Sequence, residues 1–92
     1  MTATEAYKKS LWKQLPNEII EMINKKIEIG GTYVTLYKSV HPVFFYNKNK
    51  YIDILKTLDY IINLETVMYT DDSTDEKLII SWYFTKLDLN IK

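Results

Sequence analysis

The chain has 92 residues, 47% hydrophobic and 14% aromatic, with twelve basic and twelve acidic side chains and no cysteine. That length accommodates one core, so residues 1–92 are expected to form a single domain. The apolar fraction is that of a packed globular protein. The missing thiols rule out a disulfide framework, thiolate metal sites and cysteine nucleophiles.

All the cationic side chains are lysine. Bidentate guanidinium contacts to guanine, phosphate or carboxylate therefore cannot form, which disfavours sequence-specific reading of DNA. Abundant Lys, Ile, Asn and Tyr are the residues of A+T-rich codons and point to a low-GC genome. Net charge is zero but unevenly spread: residues 1–50 hold eight lysines against four acids, and residues 51–92 the reverse, four against eight. Such a distribution gives either a mixed solvated surface or charge-guided association with a partner. Glu5, Lys8 and Lys9 interrupt the first residues, so neither a signal peptide nor a membrane span is expected there, and the expected location is the cytoplasm.

Thr2 and Glu5 have the spacing of a capping box and predict a short helix to about Gln14. Pro16 suits the first turn of a second helix, with Glu18 and Glu21 early and Lys25 and Lys26 late, the stabilising order for the helix dipole. Ile19, Ile20, Ile23 and Ile27 form its apolar stripe, with Met22 at the edge. Gly30-Gly31 ends it, and the period then changes to 2. Thr32 to Tyr37 reads as a strand with Val34 and Leu36 towards the core and Tyr33, Thr35 and Tyr37 on the other side.

Lys38 to Asn47 reads as an irregular connection containing Pro42 and the apolar run Val43, Phe44, Phe45 and Tyr46, which must fold back on its own chain or be covered by a partner. Asn47 or Asn49 caps a third helix to about Asp59, with Tyr51, Ile54, Leu55 and Leu58 on its apolar face. From Tyr60 to Thr70 the alternation changes parity, which predicts a strand with a bulge near Glu65 and Thr66. Asp71 to Glu76 reads as a polar turn, and Lys77 to Phe84 as the returning strand of a hairpin, with Leu78, Ile80, Trp82 and Phe84 on one face. Residues 85–92 alternate Leu87, Leu89 and Ile91 with polar residues, as a terminal strand or an extended arm.

The expected fold is α+β, in the order α-α-β-α-β-β. Helices cover one face of a small mixed or antiparallel sheet of three strands, or four if the tail joins it. The first two strands should run parallel, with the last between them and antiparallel to both.

Three stretches, Gly31-Thr-Tyr-Val-Thr-Leu36, Ile54-Leu55-Lys-Thr-Leu58-Asp-Tyr60 and Lys77-Leu-Ile-Ile-Ser-Trp82, resemble a pattern in small uncharacterised α/β accessory proteins of phages and large DNA viruses. The resemblance covers roughly residues 17–83. It implies an accessory protein acting in the host cytoplasm or carried in the virion, and it transfers no catalytic residue. Asp59 stands where that pattern has glycine, so the third helix should need a different ending. Leu15-Pro16-Asn-Glu18-Ile-Ile20 also resembles the opening of an F-box, but Gly30-Gly31 and the strand after it break the helical continuation an F-box requires.

No constellation of residues points to catalysis, a cofactor or a metal. His41 is the single histidine and lacks a second imidazole or a thiol as co-ligand. The acids at 71, 72, 75 and 76 lack the spacing and glycine of a calcium loop. The residues in want of a partner are Tyr33, Tyr37, Phe44, Phe45, Tyr46, Leu87, Leu89 and Ile91. They point to a protein partner or to a second copy in a homo-oligomer. Lys8, Lys9 and Lys13, beside Tyr7 and Trp12, form the weaker candidate, a nucleic-acid surface. The sequence thus favours a non-enzymatic protein–protein interaction module that occludes or bridges a partner such as a host defence factor. A minor structural component of an assembly and a small nucleic-acid-binding regulator stand as alternatives.

Overall fold

A computed structural model describes residues 2–82. The proposed tail residues Leu87, Leu89 and Ile91, and Phe84, lie outside them. Four helices and three strands follow one another as α1 (Ala3–Lys13), α2 (Asn17–Glu28), β1 (Tyr33–Tyr37), α3 (Pro42–Tyr46), α4 (Lys48–Thr57), β2 (Ile61–Met68) and β3 (Thr74–Ser81). The fold is α+β. No helix among the described residues is long and apolar enough to cross a membrane.

Each helix starts and stops for local reasons. Thr2 and Glu5 form the expected capping box on α1: the Glu5 amide donates to Thr2 Oγ1 at 3.1 Å, and Glu5 Oε1 accepts from the Thr2 amide. Pro16 lies just before α2, not within its first turn, and its carbonyl accepts the amides of Ile19 and Ile20. At the far end Gly30 takes φ +79°, and the Gly30 and Gly31 amides bond back to the carbonyls of Ile27 and Lys26. That pair of bonds is a Schellman ending.

The same ending closes α4. The Asp59 and Tyr60 amides return to the carbonyls of Lys56 and Leu55, and Asp59 itself adopts φ 70°. The substitution of aspartate for glycine therefore does not change the termination. Aspartate enters the left-handed region more readily than most residues, and here its carboxylate also meets Lys8 Nζ at 3.0 Å.

The sheet order is β1-β3-β2, with β3 antiparallel to both neighbours and β1 parallel to β2. Val34 faces Ile80 and Leu36 faces Leu78 across one ladder; Ile62 and Leu64 face the same two residues across the other. Those positions share the face towards the helices. Leu36, Leu78 and Ile80 are fully buried with Ile19 and Ile23 of α2 and Leu55 of α4. Trp12 stacks on Tyr60, and Tyr60 meets Trp82 edge-on. This aromatic group packs against the core and includes the last described residue.

Three further expectations are corrected. The register of β2 against β3 is unbroken from Ile61–Ser81 to Met68–Thr74, so there is no bulge at Glu65 and Thr66. The change of parity has another cause: Val67 belongs to the helix-free face, whereas Leu64 and Met68, on the helix side, remain exposed at 46% and 73%. The segment before α4 is also not irregular. Pro42 opens α3, and Phe44 and Phe45 turn inward to 2% and 5% exposure, with Phe44 stacked on Tyr51. Finally, the hairpin turn is shorter than expected, because Thr74, Asp75 and Glu76 already belong to β3.

Replacing Phe44 by Ala is expected to cost about 3–5 kcal/mol in chemical denaturation. Tyr46→Ala, at a neighbouring position that is 89% exposed, should stay within about 0.5 kcal/mol. At the end of α4, Asp59→Gly should stay within about 1 kcal/mol of the parent, because relief of the left-handed backbone offsets the lost exposed pair with Lys8, whereas Asp59→Val should lose about 1–2 kcal/mol, the cost of a branched side chain in the left-handed region.

Candidate partner-binding site

The proposed interface residues separate into three groups. Tyr33 and Tyr37 lie, as expected, on the sheet face away from Val34 and Leu36; Tyr33 is 54% exposed and Tyr37 half-buried. Phe44 and Phe45 leave the site because they belong to the core. Tyr46 is exposed, but on the helical side of the sheet, so it does not join the other two tyrosines.

The lysine candidate on α1 is dispersed as well. Lys8 is bound to Asp59, and Trp12 is committed to Tyr60. Lys9 and Lys13 remain exposed. Two cations and Tyr7 form a small surface for tracking a phosphate backbone.

Local geometry instead brings together a groove that the sequence pattern did not reveal. It has a volume of about 870 Å³ and lies between the C-terminal half of α2 and the outer edge of β1. Met22 and Ile29 supply apolar surface from the helix side, Tyr33 and Thr35 border it from the strand, and Lys25 and Lys26 stand at its rim. Ile29 is 78% exposed. Helical rotation explains the missed residue. Each residue advances by about 100°, so the spacing 19, 23, 27 drifts by about 80°, while position 26 returns to within about 20° of Ile19. Ile27 accordingly turns out to 50% exposure. Lys26 takes the sheet-facing direction at the helix end, where the core has given way to the groove.

Lys26 is positioned by its surroundings. Its stem lies across Gly31, where an added Cβ would run into Lys26 Cγ and Cδ, and its ammonium lies 6.0 Å from the centre of the Tyr33 ring. The two glycines thus have separate functions. Gly30 supplies the positive φ, and Gly31 leaves room for the lysine stem.

The edge of β1 carries hydrogen-bonding capacity. The Lys38 amide donates to Glu76 and the Trp82 amide to Thr32, which fixes the even-numbered residues of β1 as those bonded to β3. By the alternation of an antiparallel ladder, the peptide groups of Tyr33, Thr35 and Tyr37 point outward. The Tyr37 carbonyl accepts from Val40 and His41. Both main-chain groups of Tyr33 and Thr35 and the Tyr37 amide therefore have no main-chain partner among the described residues.

A polar cluster holds the end of this strand. Asp75 is 7% exposed and accepts from the Ser39 hydroxyl at 2.6 Å, from the Ser39 and Glu76 amides, and from the Tyr69 hydroxyl. The Ser39 hydroxyl bond foremost, with the backbone amides and Tyr69 in support, holds the Asp75 carboxyl below its ordinary range despite opposing desolvation. His41 turns away to Glu18, 2.6 Å from Nδ1 to Oε1. The acids expected in one solvated turn are thereby divided: Asp71 pairs locally with Ser73, Asp75 clamps the loop after β1, and Glu76 meets Lys48 at 3.0 Å. Comparison with known families, curated proteins and solved structures finds no match for this chain.

Because the folded state lowers the Asp75 pKa, its contribution to stability is complete above the unfolded-state value. It is lost as pH falls through the depressed folded-state value. Acid titration of the melting temperature should therefore show a fall across that window that is shallower in Asp75→Asn. An identical slope in the two proteins would exclude Asp75 as a source of acid sensitivity.

Proposed function

We propose that this protein is a non-enzymatic protein–protein interaction module that takes up an extended segment of a partner along the outer edge of β1. The observation that carries this reading is the outward row of main-chain groups at Tyr33 and Thr35, set beside an apolar groove. Strand addition uses such an edge for affinity and the adjoining side-chain surfaces for specificity. Proteins that do not use an edge commonly protect it with a proline, a bulge or an inward charge. Tyr33-Val-Thr-Leu-Tyr37 pairs regularly with β3 and contains neither proline nor charge.

The rest of the molecule serves as a rigid support. The edge strand is bonded to a central strand whose Leu78 and Ile80 are fully buried, so the main-chain groups it presents are already ordered before a partner arrives. Preorganisation of this kind reduces the entropy lost on association. The resemblance to phage and large-virus accessory proteins supports a setting in the host cytoplasm, where covering or bridging a host protein would be the biological outcome. Tyr33 and Tyr37 would widen the contact across the helix-free face.

A photo-crosslinking side chain placed at position 35 in the native host should capture a partner protein, and the same group at position 9 on α1 should not. Equal capture at both positions would remove the β1 edge from consideration. Capture of a second copy of the chain alone would replace the partner by self-assembly through the same edge.

A further inference from the structure

We infer that the segment taken up along β1 is acidic: an extended peptide whose carboxylates turn towards α2 and meet Lys25 and Lys26 while its apolar side chains, on its other face, rest on Tyr33. This deepens the strand-addition reading and rests on it. The groove combines two cations with one acid, Glu28, around an apolar floor. Neither Lys25 nor Lys26 has a carboxylate partner among the described residues, whereas Lys8, Lys48 and Lys77 each have one.

The arrangement at Lys26 is specific. The Schellman ending fixes the helix terminus, Gly31 admits the lysine stem, and the Tyr33 ring stands under the ammonium. A cation held against apolar surface interacts more strongly with an incoming carboxylate than one fully surrounded by water. The one charged residue of the other edge strand is already paired. On β2, Glu65 faces Lys77 of β3 at 3.1 Å, so the two are mutually neutralised. An acidic strand is therefore directed to β1. Side chains of an added strand alternate between its faces, so a sequence alternating acids with β-branched apolar residues can turn every acid towards Lys25 and Lys26 on α2 and every apolar residue towards the side that carries Tyr33.

The test uses the full chain and two fluorescein-labelled peptides, one alternating valine with glutamate and one alternating valine with lysine, followed by fluorescence anisotropy. The glutamate peptide is expected to bind saturably, to weaken with added salt, and to lose about tenfold or more in affinity with Lys26→Glu. Thr35→Pro should abolish binding while leaving the melting transition in place, because the Thr35 amide faces outward and a proline there removes no ladder bond. The double reversal Lys25→Glu/Lys26→Glu should transfer preference to the lysine peptide, a gain that a misfolded variant could not produce. If the parent protein binds the lysine peptide as well as the glutamate peptide, the acidic assignment fails and strand addition stands. If neither peptide binds, or if a folded Thr35→Pro variant binds unchanged, the strand-addition reading itself fails.

Discussion

Leu78 and Ile80 reach the centre of the molecule only when β3 inserts between two strands that come earlier in the chain. Each is fully buried, and each is flanked by an apolar residue on both sides: Leu36 and Leu64 for the first, Val34 and Ile62 for the second. Until β3 is in place, β1 and β2 have no partner and the helices have no sheet to cover. The contacts that define the core therefore join residues far apart in sequence, a topology that must close large loops before burial stabilises it.

The two helices that lead into the outer strands solve one geometrical problem in the same way. Both α2 and α4 must reverse within a few residues and deliver an extended strand, and both do so with paired bonds to the preceding turn and one residue at positive φ. Glycine performs this at α2 and aspartate at α4. The difference has a local consequence: Asp59 carries a charge that fastens α1 through Lys8, whereas the bare backbone at Gly31 lets Lys26 lie close to the chain. One ending strengthens the helical layer, and the other shapes the groove beside β1.

The candidate interface depends on this division between packed and unpacked surface. Helices cover one side of the sheet over β1 and β3, the opposite side carries Tyr33 and Tyr37, and the margin between them presents main-chain groups as well as Lys25 and Lys26. The clamp at Asp75 anchors the loop that follows β1 to the hairpin. A strand held at one end by helix termination and at the other by a buried carboxylate is ordered along its length, the property that strand addition uses.

What was legible in the sequence was periodic. The capping box at Thr2 and Glu5, the buried isoleucines at 19 and 23 and the β-period at 33–37 report on their neighbours within one or two turns, so local rules suffice for them. The order of elements then left few topologies, and the parallel pair with β3 between them was among those expected. Tertiary contacts decided the rest. Phe44 and Phe45 gained a core to enter, Asp75 gained Ser39 and Tyr69 as distant partners, and Lys26 became a groove residue because the strand it faces ends the sheet. Each of these outcomes depends on a surface contributed by another part of the chain, and a repeat read along one segment contains no record of it.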